Sequence, residues 1–416
     1  MATASPLQLL AAEHRDLDAY RSAGGYRGLE RARRMETDEL LAAVERSGLR
    51  GRGGAGFSTG AKWRTAARQV SVPRHVIANC YDADAASPIS RTLLERSPHQ
   101  VLEGALIAAI AVAPADVLVY VNPAADRAMQ RANDAIAEAR RAGLADGVEA
   151  RVVVGPGGFM GGEESALINA LEGNRPMAQQ RPPYPAESGL GLKPTVVNSG
   201  ETLAAVPAVV RDGPERFDGG TKIFAVRSGD RDSTLVELPF GATLEEILWR
   251  ANVTLDGARA IHVGGPTGGM LPTSAVRTAT TFEALAAAGT ILGSAQVRTL
   301  PPSTCMVRFA ASLFAYLERE TCGICVPCRV GTKRIGGVLE SVYSNIGRAD
   351  DVPWLEELAL HLHDFSLCGF GITAASIIRT LERYFADDVK AHLGGRCPTN
   401  TCTPVRQRRY ETMAQP

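Results

Sequence analysis

Apolar positions along the chain change period several times, and each change marks a predicted element. Leu40, Leu41 and Val44 recur at helical spacing after Thr37, and Gly48 can end that helix. His75 to Asn79 reads as a buried strand. Ser97, with Pro98 in the first turn, predicts a helix to about Val112, and Val117 to Val121 is a second strand. A helix follows from Ala124 to Ala142, with Met129, Ala132 and Ile136 on one face. Val148 to Val154 is a third strand, and a Gly/Pro-rich turn from Gly155 to Glu164 leads into a helix through Leu171. Strands alternating with helices across short turns predict an α/β layer structure with parallel strands.

The texture changes at Lys222. Ile223–Val226 and Leu235–Leu238 read as a hairpin, Thr243 caps a helix through Leu248, and Ala260–Val263 is another strand. That order predicts a small β-grasp-like domain. From Ser303 the pattern is helical, with stripes at Ile335, Val338, Leu339, Val342 and Ile346, then Leu355, Leu358, Ala359 and Leu362, then Ala374, Ile377, Ile378 and Leu381. Asp351 with Pro353 starts one of these helices. His361 and His363 read as partly exposed helix residues. The most apolar stretch, Val101 to Val121, is broken by Glu103, Pro114 and Asp116, so it predicts a buried helix and strand and not a membrane span.

The chain has 416 residues, enough for two to four domains, and 45 basic residues balance 45 acidic ones. No net field draws nucleic acid or an anionic membrane. The first sixteen residues show no basic segment followed by an apolar run, so no secretory signal is expected there. Eight cysteines, four of them in one spaced set, point to a reducing cytoplasmic setting.

That set carries the chemistry. Cys322, Cys325 and Cys328 lie at C-x2-C-x2-C spacing and Cys368 stands forty positions further on. Three neighbouring thiolates plus one remote partner suit a 4Fe–4S cluster, whereas structural zinc usually draws on two separate C-x2-C pairs. Cys397 and Cys402, with His392 five residues before, are either part of a zinc site or two free thiols. Upstream, Gly51, Gly53, Gly54 and Gly56 leave backbone amides free to approach an anion, with Arg52 and Lys62 adding positive charge and Ser58 or Thr59 capping the next helix. Glu163 and Glu164 sit in a first helical turn. There they either suit the helix dipole or hydrogen-bond a ligand. Arg181-Pro182-Pro183-Tyr184-Pro185-Ala186 forms a rigid loop.

Taken in order, the Gly-rich loop, Gly161-Gly162-Glu163-Glu164, the Arg181–Ala186 loop, Pro194–Asn198 and the cysteine set resemble the flavin- and NADH-binding subunit of respiratory complex I, the 51-kDa-type family. Related subunits serve NAD-linked hydrogenases and formate dehydrogenases. The resemblance runs from about Gly25 to Leu393. It implies a Rossmann-like flavin/NADH domain (26–205), a ubiquitin-like β-grasp domain (206–300) and a helical bundle holding the 4Fe–4S cluster (301–390), between a leader (1–25) and a tail (391–416). It implies hydride transfer from NADH to FMN, then single electrons to the cluster and on to a 24-kDa-type iron–sulfur subunit within a larger redox complex. No nucleic acid partner or membrane insertion is implied, and the location is cytoplasmic, peripheral to the membrane through partners. FMN contacts are expected at Gly51, Gly53, Gly54, Gly56, Lys62, Asn79, Asp82, Asp84, Gly162, Glu163, Asn198 and Thr202, and nicotinamide-nucleotide contacts at Phe57, Glu164, Arg181 and Tyr184. No side chain is assigned the hydride step itself, though Glu164 is near it.

The family pattern Asn-Ala-Asp-Glu-x-Glu-Pro-Gly becomes Asn79-Cys80-Tyr81-Asp82-Ala83-Asp84-Ala85-Ala86 here. Tyr81, Asp82 and Asp84 are thus expected to remove or shorten polar groups facing the flavin, and restoring the family residues is expected to tighten it. The alternative function is an iron–sulfur electron-transfer or scaffold paralogue without flavin chemistry.

Overall fold

The computed structural model describes residues 9–11 and 13–402. The first eight residues of the expected leader and residues 403–416 of the expected tail lie outside the described residues. The chain divides into two compact units, one running up to Phe224 with Leu235–Phe240 added, the other comprising Ala225–Thr234 and the chain from Gly241.

The first unit begins with α1 (Leu17–Ser22), α2 (Arg27–Ala32), α3 (Thr37–Arg46) and α4 (Thr59–Ala67). Then β1 (Arg74–Cys80), α5 (Ile89–Arg96), α6 (Pro98–Ala111), β2 (Ala115–Val121), α7 (Asp126–Arg141), β3 (Ala150–Val154), α8 (Glu164–Leu171), β4 (Thr195–Ser199) and α9 (Gly200–Asp212) follow. The sheet order is β3-β2-β1-β4, and every pairing is parallel. Parallel strands need helical crossovers, so β1, β2 and β4 are buried and near-continuously apolar. The strand order reverses at β1, whose neighbours are β2 and β4. Ligands in such sheets bind outside the strand carboxyl ends at that switch point.

The apolar 101–121 stretch is the buried α6 followed by β2, as expected. Its one glutamate, Glu103, is buried and accepts from Tyr20 Oη at 2.5 Å, Tyr26 N at 2.9 Å and Leu29 N at 3.0 Å. The described part of the expected leader holds α1, capped by Asp16, with Tyr20 docked on the Glu103 carboxylate.

After α9, β5 (Thr221–Ser228) and β6 (Thr234–Pro239) enter a five-stranded sheet with α10 (Leu244–Arg250), β7 (Ala260–Val263), β8 (Gly269–Pro272), α11 (Phe282–Ala287) and β9 (Gln296–Leu300). Its order is β6-β5-β9-β7-β8, with β5 and β9 parallel from Ala225↔Gln296 to Ser228↔Thr299. A hairpin, a helix and a late strand returning parallel to the first make the β-grasp pattern. Thr243 and Glu246 close a capping box on α10. The rest is helical: α12 (Met306–Glu320), α13 (Val326–Tyr343), α14 (Asp351–Phe365) and α15 (Gly369–Leu393). The expected stripes face inward at Ile335, Val338, Leu339, Val342, Leu355, Leu362, Ile377 and Leu381, but Ile346 lies beyond α13 and is exposed. No helix among the described residues is long and apolar enough to cross a membrane.

Candidate functional site

The Gly-rich segment leaves α3 and closes on itself. Arg50 bridges Ser58, and Gly51 N donates to Phe57 O at 2.8 Å. Gly54 has φ +104° and Gly56 φ +66°, values that side chains with a Cβ rarely adopt, so the loop needs glycine at both. Arg52 N donates to Thr202 Oγ1 at 2.8 Å, and a Cβ on Gly53 would stand 3.5 Å from Ser199 Cβ. The loop therefore crosses the first turn of α9, which Ser199 caps. Its amides at Gly53, Gly54 and Ala55 meet no backbone acceptor among the described residues.

Two expectations change here. The sequence pointed to α4 as the anion-facing helix. However, Thr59 and Gly60, which open α4, are buried, and a Cβ on Gly60 would stand 2.6 Å from Glu45 N. The helix start that the loop covers is that of α9. Arg52 was expected to add charge to the loop, yet its guanidinium is buried, donates to Gly219 O and lies 4.5 Å over the Phe240 ring. Burial lowers its pKa, against the pull of Glu201.

The strand ends supply the next wall. Asn79, at the end of β1, donates through Nδ2 to Gly162 O at 2.9 Å. Asn198, in β4, is buried and accepts from Trp63 Nε1 at 2.8 Å. Thr202 is buried and also bonds Ser199 Oγ at 2.8 Å. Asn198 and Thr202 thus fix α4 and the Gly loop to β4 and α9.

A chain of charges runs beside them. Lys62 Nζ donates to Glu164 Oε2 and to Val197 O, each at 3.0 Å. Arg181 pairs with Glu164 Oε1 at 3.2 Å and with Glu163. Burial would raise the Glu164 carboxyl, but Lys62 and Arg181 together hold it below its ordinary value. Glu163 caps α8 by accepting from the Ser165 and Ala166 amides, each at 2.9 Å. Its dipole role and its place in the site coexist. Phe57 and Tyr184 are 58% and 54% exposed, which leaves their ring faces open to stacking on a planar ligand.

Tyr81 was expected to face the flavin, and the structure turns it inward. It is buried, stacks on Tyr120 with ring centroids 5.3 Å apart and donates from Oη to Gly158 O at 2.9 Å. The Tyr81 ring occupies the space that a Cβ on Gly161 would need. Asp82 accepts from Ser90 N at 3.1 Å and Arg91 N at 2.7 Å, and so steadies the start of α5. Burial pushes its carboxyl up to about 6 against those bonds. Asp84 is buried and accepts from Ala86 N at 3.0 Å. All three altered positions are thus built into the β1–α5 turn.

The cysteine set lies in the second unit. Thr321 ends α12, Cys325 precedes α13, Cys328 is in its first turn, and Cys368 precedes α15. Two helix N-termini, those of α13 and α15, therefore carry these thiols, where the dipoles favour thiolate. Gly323, at φ +78°, makes the turn between the first two cysteines, and Arg329 Nη1 donates to its carbonyl at 2.7 Å. Thr321 Oγ1 lies 3.3 Å from Cys328 Sγ. A Cβ on Gly371 would stand 3.3 Å from Cys328 Cβ, which brings the first turn of α15 onto that of α13. Burial pushes the Cys328 thiol up to about 11, against the Thr321 hydroxyl and with help from the neighbouring Cys325 and Cys322. His361 and His363 are exposed, as expected.

A parallel sheet with a glycine cradle at its switch point, and thiols at two helix starts, are the parts of a nucleotide-binding redox protein. Residues 44–208 match the Nuo51 FMN-binding domain, and residues 308–392 match the NADH-ubiquinone oxidoreductase-F iron-sulfur binding region. The NADP-reducing hydrogenase subunit HndC of Solidesulfovibrio fructosivorans is 35% identical over 408 residues, covering 94% of this chain and 83% of that one. The F 2 subunit of NADH-quinone oxidoreductase from Rhizobium meliloti is 35% identical over 402 residues, covering 92% and 96%. The air-oxidized crystal structure of an NAD+-reducing NiFe hydrogenase matches with a TM-score of 0.78 at 31% identity, over 86% of this chain. The chain spans 63% of that hydrogenase chain. The chain belongs to the family of NADH-quinone oxidoreductase F subunits, with its FMN-binding and iron–sulfur regions.

Proposed function

We propose that this chain is an NADH-oxidising subunit that binds FMN in the first unit and a 4Fe–4S cluster in the second. The observation that carries the reading is the Gly-rich loop laid over the start of α9, with amides at Gly53, Gly54 and Ala55 open to an anion. Gly51, Gly53, Gly54 and Gly56 with Lys62 would hold the flavin phosphate. Asn79, Gly162 and Glu163 would border its ring, and Asn198 and Thr202 would position the loop. Asp82 and Asp84 would act through the turn that they steady. The dinucleotide would lie against Phe57 and Tyr184, with Arg181 and Glu164 reaching its polar groups. Bound FMN supplies the conversion between two-electron nicotinamide chemistry and one-electron iron–sulfur chemistry. The protein's part is placement. Lys62 and Arg181 keep Glu164 ionised, so its oxygens stay acceptors for an amide N–H at neutral pH. Cys322, Cys325, Cys328 and Cys368 would ligate the cluster.

The domains follow as 26–205 for flavin and NADH, 206–300 for the ubiquitin-like part and 301–390 for the cluster. Electrons from the cluster would then pass to another polypeptide. We place a 24-kDa-type iron–sulfur subunit in that role, within a larger redox complex peripheral to the membrane. The test is flavin content after gel filtration together with NADH-dependent ferricyanide reduction. Retained FMN and turnover support the reading. A protein that holds no flavin after reconstitution with excess FMN overturns it, and leaves an iron–sulfur scaffold.

A further inference from the structure

Among the described residues, a tight group of metal-ligating side chains stands apart from the 322–368 cysteines. Cys305 Sγ, the His392 imidazole, Cys397 Sγ and Cys402 Sγ all lie within 4.8 Å of one another. We propose that these four residues form a second metal centre, a mononuclear structural zinc site of the Cys3His type.

The four ligands come from three places in the fold. Cys305 is the N-cap of α12, His392 lies in the last turn of α15, and Cys397 and Cys402 flank a turn closed by Asn400 N on Cys397 O at 3.1 Å. Residues separated by up to 97 positions would not converge by chance on one buried point. Zn–S bonds of about 2.3 Å and a Zn–N bond of about 2.0 Å place neighbouring ligand atoms about 3.5–3.8 Å apart in a tetrahedron. Cys305 Sγ and His392 Nε2 stand 3.5 Å apart. A four-iron cluster must fit its irons between the thiolates and holds them wider than this group allows.

The surroundings are those of a ligand set. His392 is fully buried, and its Nδ1 lies 2.8 Å from Asp388 O. That bond fixes the proton on Nδ1 and leaves Nε2 to bind a metal, the usual support for an imidazole ligand. Asp388 is itself held by Arg259 at 2.7 Å through both carboxylate oxygens. Cys397 Sγ lies 3.3 Å from Thr399 Oγ1, which itself lies 2.8 Å from Thr401 Oγ1, so the turn between the two cysteines is tied to the sulfur. Arg308 N reaches Cys305 Sγ at 3.5 Å, and Arg308 Nη1 donates to Thr401 O at 3.2 Å. Three thiolates and one imidazole close a tetrahedron with no open position, so the ion is structural. Its softness suits zinc among available divalent ions. Cys305, Cys397 and Cys402 fall outside residues 308–392, so the family's iron–sulfur region does not account for them.

The chemistry of the site is a staple. It ties the segment after α15 to the start of α12 and closes a loop that runs from Cys305 to Cys402.

Metal analysis of the as-isolated full chain tests the proposal, with cells grown in zinc-supplemented medium. The expected result is about one zinc per chain. Cys322→Ser should remove iron and keep zinc, whereas Cys402→Ser should remove zinc and keep iron. A second measurement is independent of how the variants fold. The wild-type chain, stripped and reloaded with cobalt(II), should show the strong visible bands of a tetrahedral site and thiolate-to-cobalt charge transfer in the near ultraviolet. Zinc below about one-tenth per chain, iron in place of zinc, or zinc that survives Cys402→Ser would each overturn it, as would octahedral cobalt bands.

Discussion

Lys62 Nζ sits midway between two oxygens, Glu164 Oε2 and Val197 O, at 3.0 Å from each. One ammonium thus joins the carboxylate proposed to meet the nicotinamide to the strand that carries Asn198. Lys62→Met should cost about 1–3 kcal/mol of stability, because it leaves a largely buried carboxylate short of a charged donor. The sign with pH follows from the direction of the shift. In the wild type the Glu164 carboxyl is depressed, so its stabilising contribution is present above the unfolded value and is lost as pH falls through the folded one. Without Lys62, burial gains on the remaining Arg181, and the acid limb of the stability profile should move to higher pH. Thermal melting from about pH 4 to 8 checks this, and an unmoved acid limb would show that Lys62 does not set the Glu164 charge.

Restoring the family aspartate at position 81 now carries the opposite expectation from that of the sequence. Tyr81→Asp would empty a stacked, buried ring site beside Tyr120 and put a carboxyl in its place. Losses of about 3–5 kcal/mol are typical for such cavities, before the charge is counted. Tyr81→Phe should cost only about 1 kcal/mol, the bond to Gly158 O. Chemical denaturation of both variants decides the matter. A Tyr81→Asp protein as stable as the parent would return the side chain to the cofactor site.

Cys368→Ala should abolish the 4Fe–4S centre, read by iron and sulfide content. A finer test is Thr321→Val, which removes the hydroxyl 3.3 Å from Cys328 Sγ. Hydrogen bonds to cluster sulfurs raise the potential, so its loss should lower the midpoint. A bond worth about 1 kcal/mol bounds the change near roughly 40 mV for one electron. Redox titration followed by electron paramagnetic resonance measures it, and a raised midpoint would contradict the hydrogen bond.

Tyr20→Phe should free α1 from Glu103 at a cost of about 1.5–3 kcal/mol, the value of a hydrogen bond to a charged acceptor. Burial raises the Glu103 carboxyl, opposed by the Tyr20 hydroxyl and the Tyr26 and Leu29 amides. With its folded pKa raised, Glu103 stabilises most below the unfolded carboxylate range, and that contribution fades as pH rises through the folded value. Tyr20→Phe removes an opposing bond and should steepen that fading. Hydrogen exchange over Leu17–Ser22 at two pH values reads it directly. Unchanged protection would mean that α1 is held by other contacts.

β4 was met only as the Pro194–Asn198 motif, but the parallel sheet was legible through β1, β2 and β3, whose apolar runs alternate with helices across short turns. β9 was not, since Gln296-Val297-Arg298-Thr299-Leu300 mixes polar with apolar residues and its strand character comes from pairing with β5 and β7. The Gly-rich loop could be recognised as a cradle, but not the helix beneath it. The nearest helix start in sequence is α4, whereas α9 arrives from 150 positions away through Thr202. Tyr81 misled for a related reason. A motif position says which residue differs, and only packing against Tyr120 says which way the replacement points. The pair Cys397 and Cys402 with His392 already suggested zinc, but Cys305 lies 87 positions before His392 and no local spacing connects them.

Helix α15 starts directly after Cys368 and has His392 as its penultimate residue. Its 25 residues make a bent rod, roughly 37 Å along its path, with a kink at Phe385, where φ is −133° and ψ is 25°. The rod therefore begins at the remote ligand proposed for one inorganic centre and ends at the imidazole proposed for the other. Maturation of the protein becomes a question of sequence in time. The first ion or cluster to arrive would pin one end of the rod and lower the entropy lost when the second is captured. Zinc starvation would then show itself as slow iron loading, a defect that no assay of the finished enzyme would trace to the tail.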